Sequence, residues 1–98
     1  MVRPVGRLDL VAAPELREIV AKSVADGITK VVVDLHEVDF LDSSGLGALV
    51  TGLKTTRQAG GNLRIARAPE QALIVLDLTM MQQILHPFVS VEEAISAT

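Results

Sequence analysis

Asp39, Asp42, Ser43 and Ser44 fall within six residues, and Gly45 follows them directly. Serine in such a place has three possible chemistries: attack on a substrate, capping of a helix, or acceptance of a phosphoryl group. Attack requires a base held against the hydroxyl and a third group to orient that base. His36 and His86, with an aspartate, supply the residue types of such a set but not its arrangement. A nucleophile elbow needs glycine two residues before the serine, where Ser44 has Asp42 and Ser43 has Leu41. Gly45-x-Gly47 lacks the remaining glycine spacing of a dinucleotide fingerprint and the lysine of a phosphate-binding loop. Two histidines with no clustered carboxylate pair and no cysteine make no metal site. No enzymatic activity, cofactor or metal is expected.

The other two chemistries fit together. Ser43 and Ser44 stand where a helix should begin, so one hydroxyl can cap free backbone N–H groups, and Ser43 is the better candidate for that. Ser44 is then left exposed at the positive end of the helix dipole, where a phosphate is well received. Phosphorylation would add about −1.5 to −2 charges beside Asp42 and Asp39. Asp42 reads first as a residue that shapes the loop or accepts a backbone N–H, and Glu37 and Asp39 as a solvated rim. Beyond the serines, Gly45, Gly47, Ala48 and Gly52 are small. Each helical glycine costs roughly 0.8–1 kcal/mol relative to alanine, so a close approach should compensate, from a sheet beneath or a partner above. With Leu46, Leu49, Val50 and Leu53 taking the core, Ser44, Gly47, Ala48 and Thr51 form a neighbouring strip at three- and four-residue spacing. That strip, with Asp42, Ser43 and Gly45 at its head, is the expected docking surface.

The elements that must position this segment follow from periodicity. Val2–Leu10 begins as a strand, limited to an edge or an end by Pro4. Pro14 and Glu15 open a helix over Pro14–Asp26, with Leu16, Ile19, Val20 and Val24 inward and Gly27 as C-cap. Lys30–Leu35 is a β-branched run of the kind covered on both faces. His36–Leu41 reads as a connection with Val38 and Phe40 inward, and the helix from Ser43 or Ser44 runs to about Ala59. Asn62–Ala66 alternates as a strand. Pro69 starts a helix with Ala72, Leu73 and Leu76 buried; Ile84–Phe88 reads as a short final strand. Met80 and Met81 read as core filler rather than an exposed adaptable patch. Ser90-Val91-Glu92-Glu93 is a capping box for a last helix. Alternation of this kind implies an α/β fold, one domain over 1–98, with a mostly parallel or mixed sheet of about four strands.

Composition narrows the partners. Phe40 and Phe88 are the only aromatics among 98 residues, so no base-stacking platform exists. The formal charge is −3 and the nine basic residues are scattered, which argues against a nucleic-acid partner. Absence of cysteine removes thiol chemistry and fits a reducing compartment. No apolar run approaches a membrane span, and no signal segment opens the chain, so the expectation is a cytoplasmic protein with no membrane contact.

Asp39-Phe40-Leu41-Asp42-Ser43-Ser44-Gly45-Leu46-Gly47-Ala48-Leu49 resembles the signature of bacterial STAS-domain anti-sigma factor antagonists. The likeness extends to Gly6-Arg7-Leu8-Asp9, Val31–Leu35, Gly60-Gly61 before Leu63-Arg64-Ile65, and the closing Ser90–Ala94 segment. It implies a partner that is both anti-sigma factor and serine kinase, sequestered by the unphosphorylated protein so that a sigma factor is freed. By motif position it implies Ser44 as phospho-acceptor, with Asp42 and Ser43 in the supporting loop and a phosphatase that resets the cycle. The family usually has an additional strand before Gly6, where this chain has only Met1–Val5. That strand is expected to be missing or shortened, leaving an edge that stays short or pairs in a homodimer. Rival readings are a STAS scaffold in a larger signalling assembly, a STAS subunit of a lipid-transport ATPase complex, and a small serine hydrolase.

Overall fold

A computed structural model describes residues 1–97. Its strands are β1 (Gly6–Leu8), β2 (Lys30–Asp34), β3 (Val38–Leu41) and β4 (Asn62–Ala66), and its helices are α1 (Ala13–Ala25), α2 (Ser43–Gln58), α3 (Glu70–Leu78), α4 (Gln82–Leu85) and α5 (Val91–Ser96). β2 pairs in parallel with β4, Val31 opposite Leu63 and Val33 opposite Ile65. β1 pairs in parallel with β3, Leu8 opposite Leu41. The N-terminal segment links the two pairs. Val2 N–H donates to Val32 (2.8 Å), Asp34 N–H donates to the Val2 carbonyl (2.8 Å), and Gly6 N–H donates to Glu37 (2.9 Å). Val2–Leu8 therefore runs first beside β2 and then beside β3, while Phe88 bridges Ala66 beyond β4.

The expected α/β fold with parallel strands is what the chain forms, with three differences of detail. Val38–Leu41 is a strand rather than a connection, because β1 supplies the parallel partner its short sequence does not advertise. Ile84–Phe88 is not a strand: Gln82–Leu85 closes one helical turn, and only Phe88 bridges the sheet. The inward sides of two helices are also narrower than periodicity suggested, since Ile19 of α1 and Leu73 of α3 lie on the exposed side.

Val31, Val33, Leu63 and Ile65 point to the α1–α2 side of the sheet, where Leu16, Val20, Leu49 and Leu53 meet them in one apolar cluster. Burying each such side chain stabilises the fold by about 1.5–3 kcal/mol. α5 packs against β2 and β4, and α3 against β3. The buried charge in this fold is Asp34, at the end of β2. Its carboxylate accepts from Arg67 at two nitrogens, from Arg3 Nε (3.1 Å), and from the His36 backbone N–H (3.1 Å). Asp34 thereby anchors the turn after its strand and ties it to two arginines.

The Arg67 hydrogen bonds hold the Asp34 carboxyl below its ordinary value of 3.8, assisted by the His36 N–H and Arg3. A carboxylate depressed in the folded state contributes stability above its unfolded value and loses it as pH falls through the folded one. Asp34→Asn should therefore lower stability at neutral pH by about 1.5–3 kcal/mol, read as a shifted urea midpoint. The gap from wild type should be full above the ordinary 3.8 and shrink as the pH is taken below it.

Candidate functional site: the start of the second helix

β3 delivers Asp42 to the first turn of α2, and three contacts fix how it arrives. Gln71 of α3 works as a substitute strand for Leu41: the Leu41 N–H donates to Gln71 Oε1 (2.7 Å), and Gln71 Nε2 donates to the Leu41 carbonyl (2.8 Å). On the other side, Asp42 N–H reaches the Leu8 carbonyl (3.4 Å). Gly45 then passes so close to β1 that a β-carbon there would stand 2.0 Å from the Leu8 oxygen. Only glycine fits.

The cap of α2 is Asp42, whose Oδ1 accepts from Gly45 N–H (2.9 Å). This corrects the assignment of the cap to Ser43. The shift is one residue: a pair of serines preceded by aspartate offers three consecutive capping side chains, and periodicity does not say which comes first. Asp42 in the extended conformation takes the cap, so Ser43 and Ser44 become the first two helical residues. Ser43 is exposed and Ser44 half-buried, with their hydroxyls released from capping.

The glycines and alanine of α2 separate by what they meet. A β-carbon on Gly52 would meet Leu63 at 2.9 Å and Val20 at 3.4 Å, so Gly52 lets α2 settle between the sheet and α1. Ala48 has 0% of its surface exposed and belongs to the core cluster. The docking strip expected from spacing thus loses Ala48, whose small side chain is fully buried in the core, and Gly45, which faces β1. What remains open is Ser44, Gly47 and Thr51, continued by exposed Lys54. Gly47 alone among the three glycines of α2 has unused space, its nearest neighbour being an Arg17 guanidinium nitrogen 3.8 Å from an added β-carbon. Arg17, Lys54 and the Gln71 clamp were not foreseen. Lys54 could have been read from its three-residue step after Thr51, whereas Arg17 and Gln71 depend on tertiary placement.

Around this turn the charges are held in local contacts. Asp9 accepts from Val11 N–H (3.1 Å) and Ala12 N–H (3.3 Å), starting α1 in place of a side-chain cap, and Arg7 Nε reaches it at 3.3 Å. These bonds, the one from Ala12 first, hold the Asp9 carboxyl below its ordinary value. The Arg7 guanidinium also lies over the Phe40 ring, 4.3 Å from its centre. Asp39 is exposed on the rim. His36 sits in the exposed turn between β2 and β3, and His86 closes α4. Among the described residues no cluster of His, Asp or Glu has the make-up of a metal site, and no helix is long and apolar enough to cross a membrane.

The site is thus the capped start of a helix, bearing Asp42, Ser43, Ser44 and Gly45, that the third strand of a parallel α/β fold delivers. The chain belongs to the STAS domain family, whose model matches residues 1–94. An "Anti-sigma-B factor antagonist" of Staphylococcus epidermidis is 35% identical over 81 residues, covering 83% of this chain and 75% of the relative. Its Staphylococcus aureus counterpart is 31% identical over the same span. Among solved structures, a Thermotoga maritima protein matches with a TM-score of 0.88 at 26% identity, over 96% of this chain and 81% of that one. An anti-sigma factor antagonist from Mycobacterium paratuberculosis matches with 0.83 at 27% identity, over 97% and 80%.

The division among the glycines is directly measurable. Gly47→Ala should stabilise the chain by about 0.8–1 kcal/mol in urea unfolding, since the added methyl meets only a flexible arginine tip. Gly45→Ala should destabilise it by about 1–3 kcal/mol or more, because the methyl collides with strand backbone.

Proposed function

We propose that this chain is an anti-sigma factor antagonist that acts by partner switching. Unphosphorylated, it docks the Ser44–Gly47–Thr51 strip, with Asp42 and Ser43 at its head, on an anti-sigma factor that is also a serine kinase. The kinase transfers the γ-phosphoryl group of ATP to Ser44 Oγ, the complex separates, and a phosphatase later restores the hydroxyl. One observation carries the reading: Ser44 is excused from capping by Asp42 and stands at the head of a strip whose next member, Gly47, has space that the chain itself leaves empty. The names of the staphylococcal relatives support the same class of function.

The physics of the switch is electrostatic. A phosphate on the second helical residue adds about −1.5 to −2 charges where a partner must come within van der Waals distance of Gly47. Losing about 3–4 kcal/mol of contact there weakens binding by roughly 200–1,000-fold. The helix keeps its start, because Asp42 holds the cap and the dipole favours negative charge at this end.

Intact-mass spectrometry after incubation with the cognate anti-sigma kinase and ATP tests the assignment. Wild type and Ser43→Ala should each gain a single phosphate of about 80 Da, and Ser44→Ala none. Gain by Ser44→Ala but not by Ser43→Ala would move the switch by one residue. Binding without any gain would make the chain a constitutive antagonist or a scaffold. In the same system Gly47→Leu should fold as well as wild type yet bind the kinase at least tenfold more weakly.

A further inference from the structure

We propose that the last third of the chain forms a second docking surface, on elements other than α1 and α2, for an amphipathic helix of a partner protein whose apolar stripe is flanked by lysine and arginine. α3 is amphipathic in the wrong sense on one side. Ala72 and Leu76 face the core, yet Leu73, Ile74 and Leu78 lie on the outward side, Leu78 at 78% exposure. A helix of a soluble domain ordinarily puts polar residues there. The apolar surface continues past the helix. Met80 is 61% exposed and Val89 82%. Leu73 and Val89 line one cleft of about 280 Å³ together with Ala68, Pro87 and Phe88. Two of these exposed apolar side chains thus meet at one cleft, with Ile74 and Leu78 following Leu73 on the exposed side of the same helix, and exposed apolar surface gathered in this way marks an interaction site.

Met80 adds a second observation. Its φ is +59°, a left-handed conformation that favours glycine or asparagine. The chain nevertheless places there a flexible thioether that its own core does not use, of the kind that adapts to partner surfaces.

Charge selects the occupant. No lysine or arginine follows Arg67, whereas Glu70, Asp77, Glu92 and Glu93 do. Glu70 and Asp77 stand among the exposed apolar residues of α3. Arg67 borders the cleft, but its guanidinium is committed to Asp34. The rim that α3 contributes is therefore acidic. An anionic membrane would be repelled, and a second copy meeting face to face would oppose like charges. An apolar helix edged with lysine or arginine satisfies both the cleft and the rim.

The test uses the full chain, ¹⁵N-labelled, titrated with a synthetic helix of leucine and lysine in heptads, and in parallel with its glutamate-for-lysine counterpart. The lysine peptide should shift the amides of Leu73, Ile74, Leu78, Met80 and Val89, and the glutamate peptide should not. Leu78→Ser and Val89→Ser, both at highly exposed positions, should leave the fold intact and weaken binding at least tenfold. Asp77→Asn should weaken it less and flatten its salt dependence. The proposal is overturned by no binding at millimolar peptide, by shifts confined to α1 and α2, or by equal binding of the glutamate peptide. It is likewise overturned if these amides move on raising the concentration of the chain alone, or on adding phosphatidylglycerol vesicles in place of peptide.

Discussion

A single buried carboxylate sets where the rest of the chain can go. Asp34 ends β2, and its oxygens are divided among the N-terminal segment through Arg3, the exit of β4 through Arg67, and the following turn through the His36 N–H. Left unpaired, a charge with no exposed surface would cost several kcal/mol, so the fold must bring donors to it, and Arg67 supplies two of them. Their arrival has a geometric result. With the turn at 35–37 held, the chain resumes along the same neighbour as β3, and the N-terminal segment can lie beside β2 and β3 in succession. β3 in turn is the element that carries Asp42 to the head of α2. The candidate site thus depends on an ion network built from residues more than thirty positions apart in sequence.

At the site, the fold resolves two opposed demands on one helix. The first turn must be rigid enough to present a side chain at a defined place, which Gln71, the Leu8 carbonyl and Asp42 accomplish from three directions. On the proposed reading, the outward strip must also stay low enough for another surface to approach. Glycine serves both, but not the same glycine. Gly45 and Gly52 are required from within, by β1 and by Leu63 and Val20, and their helical cost is returned as packing. Gly47 receives no such return inside the chain. A cost left unbalanced in a monomer is accounted for if it is recovered in a complex.

The parts legible in the sequence were those whose signal is local. Asn62–Ala66 is a strand with the expected bounds because its alternation is flanked by a glycine pair and by a proline. The capping box at Ser90 is present as read, Ser90 Oγ accepting from Glu93 N–H (3.1 Å). What local pattern missed was decided by distant partners. Val38–Leu41 is too short and too acidic to announce itself, and becomes a strand when β1 arrives alongside. Ala48 lies between the apolar stripe and the open strip, and a methyl group is small enough to belong to either; tertiary packing buries it in the core cluster. Ile19 and Leu73 fit the helical period of a core position but stand one step outside the contact each helix makes. Met81 packs against the core as expected, whereas its neighbour Met80 is turned out by a left-handed backbone that no hydropathy pattern encodes.

The arrangement at α2 also explains why a modification there would act on binding and not on folding. Had Ser43 or Ser44 been the cap, phosphorylation would have altered a group that the helix start depends on, and on and off states would differ in stability as well as in surface. With the cap on Asp42, the Ser44 hydroxyl has no structural duty to surrender. The dipole of a sixteen-residue helix welcomes the added charge, and nearby Asp42 opposes it in part. The two effects would lean in opposite directions at the same end, so a phosphate there would offset part of its own effect on the folded state. A partner surface pressed on Gly47 has no such compensation. The proposed switch would then reside in the difference between a helix end that tolerates charge and an interface that does not.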